Sequence, residues 1–190
     1  MTVEQLRAAT GATLALAAKW LPYVEAACAA YGIDSRLRLA AFLANVGHES
    51  GGLRYTAELW GPTPAQKRYE GRLDLGNTEP GDGLRFRGHG LIQTTGRYNH
   101  AKTRDRMRAK FPDMGVPDFE ADPGALTLPQ WAALSAADFW HANGINRYAD
   151  MPDFDGVCDV INRGRKTSRA GDTNGYADRL ALYQAAQRVL

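Results

Sequence analysis

Apolar residues recur at helical intervals over much of the chain. Between Val3 and Tyr31 the positions Leu6, Leu14, Leu16, Trp20, Leu21, Val24 and Cys28 follow that repeat, with Gly11 and Pro22 interrupting it, which predicts two helices. Ser35 has the side chain of an N-cap, and Leu37, Leu39, Phe42, Leu43 and Val46 supply the apolar face of the segment behind it. Gly51-Gly52 closes that segment and leaves Glu49 at a helix C-terminus. Residues 53–90 hold too many glycines and prolines for long helices, so a looped lobe is expected there, with short strands near Arg85 and Phe86. Helical patterning resumes over 95–111, 129–143, 154–162 and 176–190. The sum is a mainly α architecture with a loop-rich insertion, and neither a repeat nor an interdomain linker breaks it.

Length changes this picture little: 190 residues suit one domain with a real core, so residues 1–190 are expected to form a single domain. Hydrophobic residues make up 44% and charged residues 23%, a globular balance. A net charge of +2 makes no general case for nucleic acid or membrane as partner. The distribution is less even. Arg85, Arg87, Arg97, Lys102, Arg104, Arg106, Arg108 and Lys110 face only Asp105 within their own stretch, and Arg163, Arg165, Lys166 and Arg169 form a second group. Such groups are usually solvated helix faces; brought together, they would make a basic face suited to an anionic polymer. Cys28 and Cys158 are too few for a disulfide framework or a zinc site. The N-terminal residues lack a charged segment followed by an unbroken apolar one, and no stretch approaches the ~20 apolar residues of a membrane span. The expected location is therefore the cytoplasm of the cell that makes the protein, without stable membrane insertion.

The densest chemistry lies at His48-Glu49-Ser50-Gly51-Gly52, where a carboxylate ends an apolar helix. Against apolar walls such a group would stay protonated, as a general acid requires. Glu58 follows the bend in a polar stretch where it would stay ionised, and two carboxylates in unlike settings are the equipment of glycosidic cleavage. Spacing alone leaves a surface pair of glutamates as the commoner alternative. Glu70, which follows Tyr69 in the same lobe, is a rival to Glu58. No second histidine completes HExxH and no GxSxG is present, so neither a metal nor any other cofactor is expected, and a serine hydrolase is an equally poor reading.

The His48 to Gly52 motif with Glu58, then Gly76-Asn77, Pro80-Gly81-Asp82-Gly83, and above all Phe86-Arg87-Gly88-His89-Gly90-Leu91-Ile92-Gln93-Thr94-Thr95-Gly96-Arg97-Tyr98-Asn99, resemble the glycoside hydrolase family 19 chitinases and the phage endolysins related to them. Val160-Ile161-Asn162, Asn174-Gly175, Asp178-Arg179 and Tyr183 are similar to the C-terminal pattern of the same family. The resemblance implies a lysozyme-like α-helical fold with a substrate cleft that hydrolyses β-1,4 links by inversion. By position it makes Glu49 the general acid, Glu58 the general base, and Thr95 the hydroxyl that helps place the attacking water. It makes Gln93, Tyr98, Asn99 and Asn162 sugar-binding, and Arg179 an arginine near the acid. Amide and hydroxyl side chains at Gln93, Thr95, Asn99 and Asn162 do offer donor and acceptor pairs suited to sugar groups. Tyr55, Trp60, Tyr69 and Tyr98 offer flat faces for pyranose rings, although a single aromatic is more often core. His48, Tyr55 and Trp60 complete the expected substrate-binding set.

Two departures bear on substrate. His89 stands where the family usually has arginine, and Arg163, Arg165 and Lys166 follow Asn162 where the chitinases carry glycine and then an acid. This favours an endolysin acting on bacterial peptidoglycan as a monomer, with no separate wall-binding module, over a chitinase acting on chitin oligomers or a non-catalytic wall-binding module. Without a leader, such an enzyme would wait in the host cytoplasm until a holin-type partner admits it to the periplasm and cell wall.

Overall fold

Side-chain caps open the first three helices in the structure, a computed structural model that describes residues 1–190. Helix α1 (Val3–Thr10) starts at Thr2, whose hydroxyl accepts from the Gln5 N–H while the Gln5 amide oxygen accepts from the Thr2 N–H, and it stops at Gly11. Thr13 caps α2 (Leu14–Ala30) and Ser35 caps α3 (Arg36–Glu49), each hydroxyl accepting one backbone N–H. There follow α4 (Pro64–Lys67), α5 (Asp82–Arg85), α6 (Arg97–Lys110), α7 (Pro129–Ala142), α8 (Asn146–Asp150), α9 (Phe154–Arg163) and α10 (Tyr176–Val189). Short 3₁₀ turns cover Leu73–Leu75 and Pro123–Thr127, and β pairing is confined to isolated bridges, so the fold is mainly α. No helix is long and apolar enough to cross a membrane.

Pro22 does not interrupt its helix, contrary to the sequence expectation: α2 runs straight through it. Proline removes one N–H and leaves the carbonyl four residues back without its helical partner. Here Pro22 and Ala18 are both exposed, so water can reach that carbonyl, while Trp20, Val24 and Ala27 bury the opposite face.

The chain divides into two compact units. The first comprises Met1–Tyr55 and Phe139–Leu190. Its centre is α3, buried from Ala40 through Gly47 and packed against α1, α8, α9 and α10. Three alanines, Ala40, Ala41 and Ala44, let neighbouring helices approach, and Phe42 meets Trp140 edge to face at 5.5 Å. Phe154 stacks on Tyr183 at 4.1 Å, which ties α9 to α10. A helix buried on nearly all sides brings its C-terminal residue to a fixed place, and in α3 that residue is Glu49.

The second unit, Thr56–Asp138, contains the loop-rich lobe together with α6 and most of α7. Phe86, Leu91, Met107, Phe119 and Leu126 form its apolar interior. Polar clamps do the rest. Buried Asp82 accepts from Arg97 Nε at 2.9 Å and Nη2 at 2.6 Å, and Glu70 accepts the N–H groups of Gly81 and Gly83 at 2.6 and 2.8 Å. Those bonds hold Asp82–Arg85 as a helical turn where short strands were expected. The backbone pairing sits a little further on, where His89 bridges to Ala57 and to Thr94.

The first basic run is much less free than its sequence implies. Arg97 reaches Asp82 and Glu120, Arg104 reaches Asp105, Asp118 and Glu120, and Arg106 reaches Asp138. Arg85 donates to the carbonyls of Glu120 and Ala121, and Arg108 to that of Val116. Four of the acids come from outside the run, which is why only Asp105 was visible in it.

Candidate active site

Glu49 was expected against apolar walls, and the structure places a guanidinium there instead. Arg179 of α10 is 1% exposed, and its Nη2 donates to Glu49 Oε1. Nη1 donates to Asn45 Oδ1 at 2.7 Å and Nε to the Asn174 carbonyl at 3.1 Å, so all three nitrogens are committed. Asn45 lies one helical turn before Glu49 on α3 and is fully buried, its amide donating to the Ala41 carbonyl at 2.9 Å. That bond turns Oδ1 toward Arg179. Because the guanidinium is a rigid planar fork, fixing two of its nitrogens fixes the third and the carboxylate it meets. His48 turns to α10 as well, with Nδ1 at 2.6 Å from Asp178 Oδ2. Gly175 leaves room for this ring: a Cβ there would stand 2.1 Å from His48 Cε1.

Glu58 is half-buried in the second unit and held by three donors. Oε1 accepts from Gln66 Nε2 at 2.9 Å and from the Tyr69 hydroxyl at 3.4 Å, and Oε2 accepts the Gly88 N–H at 3.1 Å. The backbone reinforces this, since the Glu58 N–H donates to the Gly88 carbonyl at 2.8 Å. Gln66 is itself anchored by the N–H groups of Gly61 and Thr63. Burial, and then the charge of Glu58, push the Tyr69 phenol above its ordinary range, so it remains a donor.

Gly88 also joins Glu58 to the loop of Gln93 and Thr95, because a Cβ on Gly88 would meet the Gln93 amide oxygen at 2.6 Å. Gln93 has a positive φ of 50° and donates from Nε2 to the Gly90 carbonyl at 2.9 Å. The Thr95 hydroxyl donates to the Gln93 carbonyl at 3.0 Å, and Asn99 donates to the Thr95 carbonyl at 2.7 Å. The hydroxyl proton of Thr95 is thereby spent and its lone pairs remain for a water molecule. Beneath the loop lie two buried imidazoles, His89 Nδ1 and His100 Nε2, 3.0 Å apart, with His100 Nδ1 on the Gly96 carbonyl at 2.8 Å. Burial, with the charges of His100 and Arg87, takes His89 down to about 3; burial takes His100 down to about 4.

The expected site residues therefore fall in two groups. His48, Glu49 and Arg179 meet in the first unit; Glu58, Gln93 and Thr95 meet in the second, with Asn99 tied to Thr95. Tyr55 is exposed beside the Gly51 turn, and Asn162 is exposed near the end of α9. Trp60 pairs with Tyr69 at 6.3 Å, and exposed Tyr98 lies under the Lys102 ammonium at 4.3 Å. Glu70, the rival to Glu58, spends its carboxylate on the Gly81 and Gly83 N–H groups. Sequence reasoning passed over Asn45 and Gln66, and it named Asp178 only as part of the C-terminal pattern, without a role. Asn45 carried a signal, being an amide on an apolar helix four residues before Glu49. No three His, Cys, Asp or Glu side chains gather as a metal-ligand set would require. Both cysteines are buried and free, each thiol pushed up to about 12 chiefly by burial.

Glu49 on a guanidinium and Glu58 on neutral donors are thus two carboxylates in unlike surroundings, each within its own unit. No protein-family model matches the chain. A Haemophilus influenzae protein described as a glycosyl hydrolase family 19 domain-containing protein is 32% identical over 181 residues, covering 81% of this chain and 80% of that protein. The chain belongs to glycoside hydrolase family 19, and at that level it is a glycoside hydrolase.

Proposed function

We propose that this protein is an endolysin that hydrolyses β-1,4 bonds of bacterial peptidoglycan by a two-carboxylate, inverting mechanism. Glu49 gives its proton to the leaving oxygen as the C–O bond breaks, while Arg179 keeps the carboxyl group in place through Oε1. Glu58 takes a proton from water, whose oxygen bonds to the anomeric carbon from the opposite face. The Thr95 lone pairs accept a hydrogen bond from the second O–H of that water, which stays on the oxygen as the new sugar hydroxyl, and so aim the nucleophile. Gln93, Tyr98, Asn99 and Asn162 bind sugar groups, as do His48, Tyr55 and Trp60.

The observation that carries the choice of wall over chitin is the loop of residues 164–175, which leads into the Arg179 helix. Of the basic group in and just before this loop, Arg163 is paired with Asp172 and Lys166 with Asp153, while exposed Arg165 and Arg169 enter no ion pair. Two unpaired guanidiniums favour a glycan that carries carboxylates over neutral chitin. The same reading makes residues 1–190 one catalytic domain, active as a monomer without metal or cofactor. It is retained in the host cytoplasm until a holin-type partner opens the way to the wall.

The deciding experiment compares turnover of purified peptidoglycan with that of a chitin hexamer and identifies the products by mass spectrometry. Faster cleavage of peptidoglycan, with a new reducing sugar that names the bond cut, is expected. Equal or faster cleavage of the chitin hexamer would make the enzyme a chitinase, and binding without products would make it a wall-binding module.

A further inference from the structure

The guanidinium that meets Glu49 is held from behind by the loop between α9 and α10, and that loop is anchored by a carboxylate without a role in the mechanism above. Asp159 of α9 is fully buried. Its Oδ2 accepts the Thr167 N–H at 2.8 Å and hydroxyl at 3.0 Å, and its Oδ1 accepts the Thr173 hydroxyl at 2.7 Å. Burial alone would raise this carboxyl group; the bonds from Thr173 and Thr167, and the charge of Arg163, bring it below its ordinary range instead. The rest of the loop is pinned by neighbours on α9 and by itself: Asp155 accepts the Gly171 N–H at 2.7 Å, Asp153 takes Lys166, and Arg163 takes Asp172 at 2.8 Å. The residues that follow Thr173 are the ones that matter. The Asn174 carbonyl receives Arg179 Nε, and the Gly175 carbonyl receives the Arg179 N–H at 3.0 Å.

We infer that Asp159, acting through Thr173 and the loop end at Asn174 and Gly175, is a positioning residue for Arg179 and hence for the carboxyl group of Glu49. The inference rests on Glu49 being the acid. Movement of the Asn174 carbonyl rotates a planar group whose far nitrogen holds Glu49, and displacement of about 1 Å at a reacting group can cost roughly 10²-fold in rate.

The test uses Thr173→Val, which removes the hydroxyl at nearly constant shape, and Thr173→Ser, which keeps it, with Asp159→Asn as a third variant. Two quantities are read: kcat and KM on whichever of peptidoglycan and chitin hexamer is cut faster, and protection of the Arg179 Nε–H from exchange by NMR. Thr173→Val should lose at least about tenfold in kcat with KM nearly unchanged, and should lose Nε–H protection, whereas Thr173→Ser restores both. Folded Thr173→Val with wild-type kcat, or with reduced kcat and a protected Nε–H, overturns the inference. Should Asp159→Asn fail to fold, the two threonine variants decide alone. Failure of the acid assignment shows itself separately, as an active Glu49→Gln enzyme whose Arg179 Nε–H still answers to Thr173.

Discussion

Acidification should destabilise this protein well above the pH at which its aspartates begin to protonate, because of the two histidines under the Gln93 loop. The Gly96 carbonyl can only accept, so His100 Nδ1 donates to it; His100 Nε2 then accepts, and His89 Nδ1 must be the donor. The hydrogen bond needs His100 neutral, and burial disfavours a charge on either ring. A proton added to His100 places two donors face to face, and neither buried ring has water to carry the charge. With folded values of about 3 for His89 and about 4 for His100, against an ordinary 6.5, the unfolded chain binds more protons over the whole interval between. Stability is therefore fully present above the unfolded value and is lost as the pH falls toward the folded ones. From about pH 8 to about pH 5 each ring contributes a loss of about 2 kcal/mol, or about 4 kcal/mol together, a large part of a typical 5 to 15 kcal/mol. The aspartates held low by arginine or buried hydrogen bonds, such as Asp82, Asp118 and Asp159, add their loss only below an ordinary 3.8, so the two effects separate. Urea unfolding followed by circular dichroism at a series of pH values gives the slope. NMR titration of imidazole signals, assigned by single substitution, gives the site values. Equal stability at about pH 5 and about pH 8, or either buried ring titrating near its ordinary value in the folded protein, would refute the neutral pair.

Glu49→Gln and Glu58→Gln should each lower kcat by roughly 10²- to 10⁴-fold while far-UV circular dichroism stays unchanged, and a fully active variant at either position removes that residue from the mechanism. Glu70→Ala should leave kcat within about twofold but cost about 1 kcal/mol in urea unfolding, since the N–H of buried Gly83 loses its acceptor while that of exposed Gly81 turns to water; a large loss of rate in the folded variant would return Glu70 to the candidate bases. Lysis of outer-membrane-stripped Gram-negative cells should weaken as salt shortens the Debye length from about 10 Å toward 3 Å, and Arg165→Gln with Arg169→Gln should flatten that dependence. Unchanged salt dependence in the double variant would take those two arginines out of wall recognition.

Local chemistry along the chain determined where most helices lie. Thr2, Thr13 and Ser35 are caps whose partners are three residues away, and the apolar repeat behind Ser35 was enough to place Glu49 at the end of a buried helix. The ordered motif from Phe86 to Asn99 was enough to point to the family, and the loop it specifies closes on itself, His89 to Thr94 and Gln93 to Gly90. What surrounds each candidate carboxylate was decided elsewhere. Arg179 comes to Glu49 from 130 positions away and to Asn45 from 134 away, and Glu58 finds Gly88 across 30. The same holds for Arg106 and Asp138, which are 32 positions apart and make part of an apparently free basic run an ion pair, and for Pro22, tolerated because its side of α2 faces water. A cap or a helical repeat acts over three or four residues and can be read in order. The partner of a charged side chain is whichever group the packing of distant helices brings within 3 Å or so, and only the tertiary structure decides that.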